Sequence, residues 1–153
     1  TGQKIICQRV SKMENEDLES VVLFDTPFFG ANRERVLRRV YADFQDLCFV
    51  SFTDRKLKGY IMAKKGLNEI KVGPWVCDPK HKKIAEELLK AILNEAHRMK
   101  IWIGVPNGNK ESVKILKKYG FVDQPKSIRM YHGKRDYVGL IKGVFGIGAP
   151  EKG

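Results

Sequence analysis

The stretch "GPWVCDPKHKKIAEELLKAIL", from Gly73 to Leu93, constrains the fold more than any other part of the chain. An apolar run with strand character is interrupted at Pro74 and ends at Pro79. A helical period then takes over, placing Ile84, Leu88, Ile92 and Ala96 on one face. A strand that feeds a helix through a tight corner is a building unit of sheets with helices packed on them. Pro74 removes a ladder donor inside the strand, so the strand is expected to part from a neighbour there and open a cleft. Lys80, His81, Lys82 and Lys83 crowd the first helical turn, where exposed N–H dipoles disfavour cations. Either a strong anion binds there, held by backbone N–H groups and lysines, or the cluster is a solvated turn in a lysine-rich chain.

The flanking segments complete the pattern. "IICQRV" reads as a short strand, and Ser11 reads as the N-cap of a helix through "SKMENEDLESVVLFD", whose first turn is acidic. A second helix is expected from about Arg33 to Phe44, with Val36, Leu37, Val40, Tyr41 and Phe44 forming its buried stripe. "LCFVSF", "LKGYIMAKK" and "EIKVGPWVC" read as strands joined by the turns "TDRK" and "KGLN". After the helix that follows Pro79 come a strand, "IWIGV", and a shorter helix, "KESVKILKKYG", closed by Gly120. Two strands, near Phe121–Tyr131 and Tyr137–Ile147, end the series. The order β, α, α, β, β, β, α, β, α, β, β predicts an α/β sheet flanked by helices. No repeat or internal linker interrupts residues 1–153, so one domain is expected.

Composition narrows the partners. Lys and Arg number 29 against 18 Asp and Glu, a net charge of +11 that favours polyanionic ligands without specifying one. The basic residues are spread along the chain rather than gathered on a strip with exposed aromatics, which argues against a nucleic-acid interface. Cys7, Cys48 and Cys77 are odd in number and lack CxxC spacing, so they read as reduced thiols of a cytoplasmic protein. No run approaches the ~20 apolar residues of a membrane span. No serine-hydrolase elbow, phosphate loop, HExxH or paired-cysteine motif occurs, and His81, His97 and His132 are isolated, so no metal site is expected.

A second stretch, "VPNGNKESVKILKKYGF", places Asn109 and Ser112 at a helix start and returns Phe121 to the sheet. Together, in this order and spacing, the two stretches resemble the GNAT superfamily of acyl-CoA-dependent N-acyltransferases. The later helix matches the family's "N..S...L...GF" pattern through Asn109, Ser112, Leu116, Gly120 and Phe121. A subgroup that forms the C-terminal half of two-domain acetyltransferases is matched further. Its features are "LFDTPFFGANRERVL" (Asp25, Phe29, Gly30, Arg33), "GYIMAKKG", "GPWVCD" and "RMYHG". The resemblance spans nearly the whole chain. It implies a mixed α+β fold with a mostly antiparallel central sheet, about four helices and a splay between central strands. It also implies an N-terminal partner domain or a homodimer, the sequence beginning at Thr1 rather than Met.

The resemblance further implies transfer of an acetyl group from acetyl-CoA to a primary amine by direct attack, with the protein positioning both reactants, helping deprotonate the ammonium and stabilising the oxyanion. The backbone of Trp75, Val76 and Cys77 would pair with the pantetheine amides, and the turn Lys82, Lys83, Ile84, Ala85 would hold the pyrophosphate. Asn109 and Ser112 would border the cofactor arm, and Lys117 would meet the 3′-phosphate. Glu69, opening the central strand, would be the base, or else an exposed charge at a strand end. Asp25 would hold the amine, or else pair with Arg33. Cys77 is a nucleophile beside the thioester or a small buried thiol. Two departures stand out: the phosphate turn "KHKKIA" has no glycine, and Leu116 stands where a thiolate-protonating tyrosine is common, with Tyr119 expected to point elsewhere on its helix. They support an alternative, a non-catalytic GNAT-like module that binds CoA or dimerises beside a separate catalytic domain. The acceptor is not legible.

Overall fold

The computed structural model describes residues 9–96, 98–106, 109–122 and 143–147. β1 is Ser11–Lys12 and pairs antiparallel with β2, Cys48–Thr53. Between them lie α1, Leu18–Phe29, and α2, Glu34–Asp43. β3, Lys56–Lys65, and β4, Glu69–Cys77, extend the antiparallel meander. The turn into β3 carries Asp54 and Arg55 at φ 51° and 65°, the left-handed pair that matches the twist of a tight hairpin. Then follow α3 (Lys82–Ala96), β5 (Lys100–Ile103), α4 (Lys110–Lys118) and β6 (Val144–Gly146). The sheet order is β1-β2-β3-β4-β5, with β6 also on β4. Among the described residues this is the expected α+β architecture, a mostly antiparallel sheet with four α-helices.

Alternation along the strands sorts side chains onto two cores. Ile61, Ala63, Ile70 and Val72 face α3 and α4, against Ile84, Leu88, Leu89 and Ile92. Cys48, Val50, Tyr60 and Met62 face α1 and α2, against Val21, Val22, Leu37 and Val40. Each fully buried Leu or Ile of α3 contributes roughly 1.5–3 kcal/mol of burial energy, which explains why a helix with a basic start forms here.

β4 changes phase halfway. Val72 pairs with Ala63 and Trp75 with Ile61, so three steps on β4 match two on β3. The extra residue is a bulge at Gly73–Pro74, whose peptide bond is cis. Gly73 has φ 140°, a conformation open to glycine. Trp75 and Cys77 therefore face the same core as Val72, while Val76 faces α1.

Some local expectations are corrected. Ser11 is not a helix cap but sits in β1, opposite Val50. Helical structure instead opens at Glu14, whose N–H is accepted by Asp17 at 2.8 Å in a capping box. Val36 leaves the buried stripe of α2 and is 42% exposed. It precedes Leu37, and the Leu37–Val40–Tyr41–Phe44 spacing turns it outward. Gly120, at φ 88°, ends α4 as expected, with Phe121 N–H bonded to Leu116 O at 3.1 Å. Cys7, "RMYHG" and the strand expected through Tyr131 lie outside the described residues, apart from the latter's Phe121 and Val122.

Candidate functional site

The parting expected at Pro74 is present. β4 pairs in parallel with β5 only over Glu69–Val72, opposite Lys100–Ile103. Proline has no N–H to continue that ladder. Beyond the bulge, the same edge of β4 meets β6: Trp75 pairs with Gly146 and Val76 with Val144. Ile147 N–H is accepted by Gly104 O, at 2.8 Å, so β6 bridges the two diverging strands.

Most of the residues expected to border a cofactor converge on this gap. Asn109 caps α4 by accepting Ser112 N–H at 2.9 Å, and its amide donates to Val144 O at 2.9 Å. Ser112 Oγ donates to Phe145 O at 2.5 Å. Phe145, 1% exposed, packs on the Trp75 ring with centroids 5.3 Å apart. Trp75 Nε1–H reaches Ala85 O at 3.1 Å and so ties β4 to the first turn of α3. Cys77 Sγ donates to His81 O at 3.4 Å. Cys77 is fully buried, and burial drives its thiol far above its ordinary range, in keeping with the small buried thiol of the two alternatives. Cys48 is likewise raised by burial, to about 12.

Beside this closed gap lies an open mouth. Arg9, Lys80, His81, Lys82, Lys83 and Ile84 line a depression of about 300 Å³ at the start of α3. Lys82 and Lys83 are exposed, while Ile84 and Ala85 are buried. Asp78 accepts Lys80 N–H at 2.9 Å, and Lys82 Nζ reaches Glu111 at 3.3 Å, so the mouth is cationic with two acids at its rim. Lys117 is exposed on α4.

Two residues stand elsewhere. Glu69 is at the opposite end of β4, about 20 Å of strand from Val76, beyond direct proton transfer to a group seated there. It lines a separate open depression of about 670 Å³ with Leu67, Asn68, Arg98, Met99 and Lys100. Asp25 is fully buried against β3 and accepts Arg33 Nε and Nη2 at 2.7 and 2.8 Å and the Tyr60 hydroxyl at 2.5 Å. Burial would lower the Arg33 guanidinium, but Asp25 and Tyr60 outweigh it and raise it. Burial first, and then the Asp25 charge, push the Tyr60 phenol well up. Arg33 also stacks over Phe29 at 3.9 Å. The cluster joins α1, α2 and β3, which is the ion-pair alternative for Asp25.

Tyr119 points away from the gap, as expected. Its hydroxyl donates to Glu86 at 2.5 Å, beside Lys118 at 2.8 Å from the same oxygen. Leu116 is in the core. Sequence reasoning missed Phe145 and Tyr60. Phe145 sits in "GVFGIG", whose glycines signal close backbone approach, but nothing in the pattern names its partner.

An α+β sheet whose central strand parts from its neighbour beside a cationic helix start defines an acyltransferase-like domain. A model of the acetyltransferase (GNAT) domain matches residues 21–146, and the chain belongs to that family. Solved structures share the fold. Ard1 from Thermoplasma volcanium is 19% identical with a TM-score of 0.66, covering 78% of this chain and 86% of that one. Arabidopsis thaliana Naa50, in complex with the bisubstrate analogue CoA-Ac-MVNAL, is 16% identical with a TM-score of 0.66, covering 86% and 93%. The ribosomal-protein-S18-alanine N-acetyltransferase of Escherichia coli is 17% identical with a TM-score of 0.64, covering 76% and 78%. No curated protein sequence matches the chain. Among the described residues no helix is long and apolar enough to cross a membrane, and no metal-ligating cluster occurs.

Proposed function

We propose that the chain is an acyl-CoA-dependent N-acetyltransferase that uses acetyl-CoA to acetylate a primary amine. The observation that carries this is the departure of β4 from β5 after Val72, next to the cationic start of α3. The fit to a CoA thioester divides in two. Lys82 and Lys83, with the first turn of α3, suit the diphosphate end, where side-chain cations take the place of the missing glycine backbone. The amide-bearing arm does not fit beside β6, because the Trp75–Val76 edge, Asn109 and Ser112 are already bonded to Val144–Gly146. No chemical step is therefore derived through the thioester.

The acceptor class is an amine on a small molecule, a peptide or a protein. The peptide-bearing analogue in the Naa50 complex and the protein alanine of the S18 enzyme make a polypeptide acceptor a fitting first panel. Residues 1–153 would act as one domain, alone, as a homodimer or beside an N-terminal domain. Buried free thiols at Cys48 and Cys77 suit a reducing cytoplasm.

One observation favours a second reading, a non-catalytic GNAT module: the filled gap itself. Titration calorimetry with acetyl-CoA, followed by CoA-thiol release assays on an amine panel, separates the two. Binding with amine-dependent thiol release supports the enzyme, and binding without turnover supports the module. No heat at high micromolar acetyl-CoA removes both cofactor readings.

A further inference from the structure

We propose that β6 is a built-in stand-in for the amide arm of the thioester, so that the fold described here is a self-closed form and the arm can bind only when β6 leaves. This rests on the acyl-CoA reading above. The chemistry of the two occupants is alike: a peptide strand and a pantetheine arm both present amides that pair with an exposed strand edge. β6 takes the edge of β4 that β5 abandons, at Trp75 and Val76. It also takes the two side chains expected to border the arm, since Asn109 Nδ2 donates to Val144 O and Ser112 Oγ to Phe145 O. An occupant of this gap must satisfy those buried polar groups, because leaving them unpaired is costly.

The strand is shaped for the gap. A Cβ on Gly146 would lie 3.2 Å from Trp75 Cβ and 3.3 Å from Ile103 Cγ2, so only a bare backbone passes easily between the diverging strands. A Cβ on Gly143 would overlap the Phe28 ring and come 2.9 Å from Cys77 O. Phe145 is buried against the Trp75 ring. The cationic mouth at Lys82 and Lys83 stays open meanwhile, so a diphosphate could dock before the arm displaces the strand.

The test is titration of acetyl-CoA into the full 153-residue chain. Gly143→Val should push β6 off Phe28 and Cys77 while leaving Trp75, Asn109 and Lys82 untouched, and affinity should rise at least about tenfold. The paired change Gly104→Cys with Ile147→Cys spans an antiparallel bridge of suitable reach for a disulfide. Oxidised, it should hold β6 in place and weaken binding at least about tenfold relative to the same protein reduced. This pair decides the matter where Gly143→Val fails to fold. Equal affinities of wild type, Gly143→Val and both redox forms would overturn the proposal and leave the acyl-CoA reading standing. No binding by any of them would overturn both.

Discussion

The start of α3 and the edge of β4 lie within ten residues of each other, and the protein treats them in opposite ways. At α3, cations remain in water around an open depression. At β4, the Trp75–Val76 edge and the Asn109 and Ser112 side chains beside it are covered by the chain's own strand. Partly paired charge in water is tolerable on a surface, whereas an empty dry slot with unpaired amides is not. On the acyl-CoA reading proposed above, the diphosphate end can therefore stand ready without its ligand, while the amide end is the one the chain covers itself.

The difference can be broken first at the slot. Phe145→Ala should cost about 3–5 kcal/mol of stability, measured by urea unfolding, because it leaves a cavity over Trp75; a loss below about 1 kcal/mol would mean that β6 does not seal the gap. At the mouth affinity responds rather than stability. Lys82→Ala with Lys83→Ala should leave stability within about 0.5 kcal/mol and weaken acetyl-CoA binding by about tenfold, as expected for lost charge-assisted contacts. The same calorimetry checks both halves, and an unchanged affinity would make the lysines a merely solvated turn.

A smaller effect concerns the bolt between α3 and α4 behind the mouth. Burial pushes the Glu86 carboxyl up, but hydrogen bonds from Lys118 and Tyr119 outweigh it and hold it below the usual range. Its contribution to stability is present above the ordinary carboxyl value and is lost as pH falls through the lowered one. Tyr119 is raised to about 12, by burial and then by Glu86, so its contribution is lost as pH rises from about 10 towards 12. Glu86→Gln should flatten the acid limb of a melting-temperature profile, and an unchanged limb would show that the bolt does not hold. Smallest of all, Glu69→Gln should leave both stability and acetyl-CoA affinity within about 0.5 kcal/mol, since Glu69 lies at the far end of β4. A large loss of affinity would place the binding site at that end.

Much of this was legible beforehand because it follows from period. β4 occupies Glu69–Cys77 as expected, and the stripe Ile84, Leu88, Ile92, Ala96 is buried. The Asp25–Arg33 pair was legible as one of two alternatives, but its third member, Tyr60, arrives from a strand far along the chain. Of the strand expected over Tyr137–Ile147, residues 137–142 lie outside the described ones and β6 is within the rest. Its partner was not expected, because period states which side chains share a face and not which edge a strand will choose. Ser11 failed for a related reason: local cap chemistry suited a helix start, but pairing with Val50 had more to offer that segment.

The bulge at Gly73–Pro74 has one more implication, concerning length. Because side chains alternate sides, removing a single residue at that corner would swing the Trp75 indole towards α1 and drive Val76 under α3, exchanging the contents of the two cores at a stroke. Removing two would keep each side chain on its present side. The corner thus acts as a parity switch for the whole distal half of the strand, and its residue count is dictated by packing on both faces, whatever ligand the domain binds.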